Sequence, residues 1–107
     1  NLWVRWYPGP PAGVGTAGEG IGALHPLTVD RPELAGLRAN VEERLICTAG
    51  FMVERQIGPD EAAALPRPEL AEGAWFYRGF TQMDGQQHVV SALLAALPIV
   101  EAREGSR

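Results

Sequence analysis

The stretch whose reading decides the fold runs from Asp30 to Gln56, DRPELAGLRANVEERLICTAGFMVERQ. Leu34, Leu37, Val41, Leu45, Thr48 and Met52 recur at steps of three and four, with Arg38, Glu42, Glu43 and Arg55 off that stripe. This is the period of a helix with one face turned to a core. Asp30 stands where its side chain can cap free N–H groups, Pro32 fits the first turn, and Glu33 completes an Asp-x-x-Glu capping box. Gly58-Pro59 stops the helix beyond Gln56. At a rise of about 1.5 Å per residue such a helix is about 40 Å long. A compact chain of this size has a radius of gyration of only about 13 Å, so the helix either breaks near Gly50 or reaches out to another subunit.

Working outward, a second helix is expected from Gly85 to Leu97. Val89, Val90, Ala92, Leu93, Leu94, Ala96 and Leu97 cover nearly its whole circumference, the pattern of a buried helix. Pro98 ends or kinks it, and Ile99 to Arg107 reads as a short turn fraying into a polar tail. Between the two helices, Gly58-Pro59-Asp60-Glu61 and Pro68-Glu69 open short helical connectors, the latter closed by Gly73. The pentapeptide Arg-Pro-Glu-Leu-Ala occurs at 31–35 and 67–71, but its flanks do not align, which marks shared helix-start chemistry rather than a repeat. Upstream, Leu2 to Tyr7 carries Trp3 and Trp6 as a short extended arm. Gly and Pro fall so densely from Pro8 to Gly22 that a long irregular loop is expected, pinned by those tryptophans. Within it, Gly13-Val14-Gly15-Thr16-Ala17-Gly18 matches a dinucleotide fingerprint in letters only, with no strand before it and no helix after.

The chain has 107 residues, enough for a single domain: an arm and loop over 1–29 and a helical part over 30–107. Nine basic residues, all Arg, against 13 acidic ones give a net charge of -4, which leaves no electrostatic footprint for nucleic acid or an anionic membrane surface. The apolar run from Val89 to Val100 is too short for a membrane span of about 20 residues. Cys47 is the only cysteine, which excludes an intrachain disulfide and a thiolate zinc cluster and suggests a cytoplasmic address. The first residue is Asn1 rather than Met, which leaves room for a removed N-terminal signal.

Ala49 to Gln56, then Glu72-Gly73-Ala74-Trp75-Phe76-Tyr77, then Met83-Asp84 and the apolar helix to Leu97 resemble one repeat of the terpenoid cyclase and protein prenyltransferase α/α toroids. The resemblance covers about 50 of the 107 residues, and Gln56, Gly73 and Trp75 carry it most specifically. It implies a mainly α fold, a helical hairpin of α/α-toroid type with a Gly/Pro-rich N-terminal arm. In that arrangement the Trp75 indole covers the end of one helix, and Gly73 lets the loop turn tightly. Thr81 to Asp84 stands where the family's cyclases carry an Asp-x-Asp-Asp proton donor and keeps its last Asp. One hairpin does not close a toroid, so the resemblance also implies a longer protein or an oligomer.

Asp84 and His88, four apart, share a helix face, where a carboxylate-oriented imidazole has the makings of a general base. The alternative is an Asp84–Gln87 capping box with His88 donating to a carbonyl. Trp75, Tyr77 and Phe80 either wall a pocket for an apolar, isoprenoid-like or carbohydrate molecule or serve the packing of the hairpin. Glu42 and Glu43 read as a solvated charged face, Cys47 as a buried small thiol, and His25 as a loop residue with no partner. No metal or cofactor is expected. Two functions therefore stand: an α/α-toroid-like segment with an aromatic-lined ligand pocket, enzymatic or not, and a small helical interaction protein that homo-oligomerises through Leu93, Leu94 or the Leu34, Leu37 and Val41 stripe.

Overall fold

A computed structural model describes residues 10–105; the arm with Trp3 and Trp6 lies outside them. The described residues are mainly helical: α1 (Pro11–Leu24), α2 (Ala35–Arg55), the short connectors α3 (Pro59–Ala63) and α4 (Pro68–Ala71), and α5 (Met83–Gly105). The long helices form a three-helix bundle. α2 runs antiparallel to α5, with Met52 beside Val89 at one end and Val41 and Leu45 beside Ala96 and Ile99 at the other. α1 lies parallel to α5, its Gly15, Gly18 and Gly22 meeting Val89, Ala92 and Ala95 in turn.

The expected loop at Pro8–Gly22 is therefore a helix from Pro11 onward. Glycine density argues against a helix standing alone, because each Gly gives up about 1 kcal/mol relative to Ala. Here the glycines make the docking possible. Gly15, Gly18 and Gly22 lie at steps of three and four on one face, and a methyl group at Gly15 would sit 2.6 Å from the carbonyl carbon of His88. Their missing side chains let α1 approach α5 closely enough for the two backbones to touch, so tertiary packing overrides local propensity. Val14, fully buried, and Ile21 complete the inward stripe.

α2 is one continuous helix through Gly50, ending at Arg55 with Gln56 as its C-cap. Its start differs from expectation. Asp30 adopts a positive φ of 62°, so it turns the chain rather than capping it, and a 3-10 turn (Pro32–Leu34) leads into the helix with no side-chain cap. α5 also departs from expectation, since it continues through Pro98 to Gly105. Pro98 lies on the exposed side, and its missing N–H leaves the Leu94 carbonyl without its usual intrahelical donor. Nor is α5 buried all round: Val89, Ala92, Ala96 and Ile99 face inward, while Val90, Leu94 and Leu97 are exposed. The bundle measures 52 × 28 × 23 Å with a radius of gyration of 15.2 Å, elongated along its helices. No helix among the described residues is long and apolar enough to cross a membrane.

Candidate functional site

The connector between α2 and α5 is knitted to both helix ends. The Gln56 side chain donates to the Gly73 carbonyl at 2.9 Å, and Ile57 exchanges backbone bonds with Gly73 and Ala74. Gly73 has φ +84°, a left-handed turn that a side chain would strain. Trp75 is then carried inward to 4% exposure among Val14, Met52 and Val89. Its indole N–H donates to the Met52 carbonyl at 2.8 Å, one of the carbonyls a helix leaves free in its last turn. The indole thus covers the end of α2, as the Gly-x-Trp reading expects. The Gln86 side chain accepts from the Trp75 backbone N–H at 2.8 Å and donates to its carbonyl at 2.7 Å, fastening the same residue to the first turn of α5.

Tyr77 and Phe80 lie further along. They close a tight turn by exchanging backbone hydrogen bonds, with Arg78 and Gly79 at φ 53° and 81°, the sign pattern of a type I′ hairpin turn. Phe80 is 71% exposed, whereas Tyr77 is half-buried beneath the Arg78 guanidinium, 5.1 Å above its ring. The crevice that Trp75, Tyr77 and Phe80 share with Pro10 and Gly85 holds about 10 Å³, the room of roughly one water molecule. Their arrangement packs the connector against α1 and α5.

Asp84 and His88 come together as their spacing suggests, with the Asp84 carboxylate 3.0 Å from Nε2 of His88. The capping-box alternative needs Asp84 at the N-cap, whereas α5 begins at Met83 and Asp84 lies inside its first turn. Nδ1 of His88 pairs with the Glu19 carboxylate. Glu19 escapes a sequence reading that treats 8–22 as loop; a signal was present in the glycine spacing, which fixes the helical face and places Glu19 one turn beyond Gly15. The Glu19 hydrogen bond, the charge of Glu19 and that of Asp84 raise the His88 pKa above its ordinary 6.5. Two carboxylates at the two ring nitrogens favour the imidazolium, a double donor. The pair also joins α1 to α5, since Glu19 and His88 belong to different helices.

A second cluster lies at the other end. His25 Nε2 meets Glu42 Oε1 at 2.9 Å, and the Arg38 Nε donates to the same oxygen at 3.0 Å. His25 therefore has a partner, and Glu42 is tethered rather than part of a freely solvated face. The His25 bond, supported by Arg38, holds the Glu42 carboxyl below its ordinary value. An open concavity of about 620 Å³ lies beside this cluster, lined by Thr28, Asp30, Arg31, Pro32, Arg38 and Glu42 among others. Cys47 is half-buried rather than enclosed. No group of three or more His, Cys, Asp or Glu side chains placed to hold a metal occurs among the described residues.

No family model matches the chain, and neither a curated protein nor a solved structure is significantly similar to it.

Proposed function

We propose that the protein is a helical interaction module that pairs with a second copy of itself through the outer face of α5. The observation that carries this reading is the spacing of what α5 leaves uncovered: Met83, Gln87, Val90, Leu94, Leu97 and Glu101 are all exposed and follow one another at alternating steps of four and three. That is the seam of a two-stranded helical pair, with Val90, Leu94 and Leu97 at 45%, 64% and 48% exposure in its middle. No Asp, Glu or Arg falls between Asp84 and Glu101, so the net charge of -4 does not oppose contact along this face. Antiparallel pairing sets Val90 against Leu94 of the other copy. Parallel pairing would stack like helix ends. Leu93 is half-buried beside this stripe, whereas Val41, an expected contact residue, is committed to the internal core.

The water-sized aromatic crevice favours this reading over a pocket for an isoprenoid-like or carbohydrate ligand. Fully burying a Leu side chain is worth about 1.5–3 kcal/mol. The 64% of Leu94 still exposed then contributes about 1–2 kcal/mol per copy, doubled across a two-fold contact. Sedimentation equilibrium at micromolar concentration should give a dimer that Leu94→Arg weakens by about 30- to 1,000-fold. A wild-type chain that stays monomeric across that range would overturn the proposal.

A further inference from the structure

Three features of α1 belong together. Five of its fourteen residues are glycine, so it has little helical stability of its own and depends on its seat against α5 and α2. That seat is a backbone-to-backbone approach at Gly15, where the nearest atoms belong to His88 and Val89. One turn further, Glu19 reaches the same His88, whose other nitrogen is held by Asp84. The Glu19–His88 pair is a polar side-chain link between α1 and α5. The face of α2 packed against them presents Val41, Leu45, Thr48 and Met52, none of which titrates in the ordinary range. The groups that set the charge balance at His88 are therefore Glu19 and Asp84.

We infer that α1 is a pH-released strap: the Glu19–His88–Asp84 clamp locks it onto the bundle while the imidazole carries its proton, and loss of that proton loosens α1 while α2 and α5 stay paired. This goes beyond self-association and does not rest on it, because the clamp lies on the α1 side of α5, away from Val90, Leu94 and Leu97. Loosening α1 uncovers Val89, Ala92 and Thr48, a narrow groove of small side chains shaped to a glycine-faced helix. The direction follows from linkage. A histidine whose folded pKa is raised contributes its stabilisation fully below the unfolded value near 6.5 and loses it as pH rises through the folded value. One proton shifts the docking equilibrium by at most about tenfold per pH unit.

The test is amide exchange across pH 5 to 9, corrected for intrinsic rates, with the His88 ring signal followed by NMR in the same samples. Protection of α1 amides should fall in step with the His88 titration while α5 amides keep theirs, and Glu19→Gln should abolish that pH-dependent step. Asp84→Asn removes the more exposed carboxylate, so it should move the step to lower pH without removing it; it also serves as the working variant if Glu19→Gln does not fold. Protection of α1 that is flat across the His88 titration would overturn the inference. So would loss of α1 and α5 together, or an unchanged step in whichever of the two variants folds.

Discussion

Replacing Gly15 by Ala should destabilise the protein, although alanine is the better helix former. The propensity gain is about 1 kcal/mol. Against it, the new methyl would lie 2.6 Å from the His88 carbonyl carbon and 2.7 Å from the Val89 nitrogen. Both atoms are backbone, so no side chain can swing aside. Restoring an ordinary separation of about 3.5–4.0 Å means moving α1 outward by about 1 Å, and a gap of that size forfeits up to about half of the dispersion energy along the contact. Overpacking costs run to about 3 kcal/mol, which leaves a net loss of about 2 kcal/mol after the propensity gain. For a domain of this size that lowers Tm by about 8–16 °C. Gly20→Ala is the matched control, because nothing lies within 4 Å of its would-be methyl; it should raise Tm by about 4–8 °C. Thermal and urea denaturation followed by circular dichroism read both. Equal stabilisation at the two sites would show that the α1–α5 seat is not as described.

Three further outcomes follow. Gln86→Ala strands the backbone N–H and carbonyl of buried Trp75 and should cost about 2 kcal/mol in urea unfolding, with a change in tryptophan emission. Pro98→Ala should restore a helical hydrogen bond on the exposed side of α5 and stabilise by about 1–3 kcal/mol, seen as a higher Tm. The Glu42 carboxyl, held low mainly by His25, contributes stability that is present above its unfolded value of 4.5 and lost as pH falls through the lower folded value. His25→Ala should move that carboxyl toward its ordinary value in a carbon-detected NMR titration and shrink the acid-side loss.

Much of the fold was legible because α2 and the inner half of α5 obey a simple rule, apolar side chains at helical spacing. Trp75 was equally legible, since Gly73 and the nearby helix end leave the indole one natural seat. The misreadings share a cause. α1 was hidden because its inward face is built of glycine, and a scale that counts apolar side chains registers close backbone packing as an absence. Pro98 reads as a stop because it removes a helical hydrogen bond and crowds the preceding turn; α5 carries that cost and continues, with the proline on its exposed side. The outer stripe of α5 merged with its inner face into one apolar helix, since composition does not say which side another helix covers. For the candidate site, Asp84 with His88 followed from a four-residue spacing. Glu19 and His25 lie 69 and 17 residues from their partners: the glycine spacing of α1 places Glu19 on the docked face, but which partner either residue meets depends on tertiary structure.

Self-association through α5 is tested most directly by isotope-filtered NOE spectroscopy on an equimolar mixture of labelled and unlabelled protein. Intermolecular NOEs should join the methyl groups of Leu94 to those of Val90 in the other copy, with Leu97 also in contact, and should be absent at exposed Leu37 and Leu70. A mixed sample with no intermolecular NOE at Val90, Leu94 or Leu97, or with such NOEs confined to Leu37 or Leu70, would contradict the assignment of this helix face as the site of pairing.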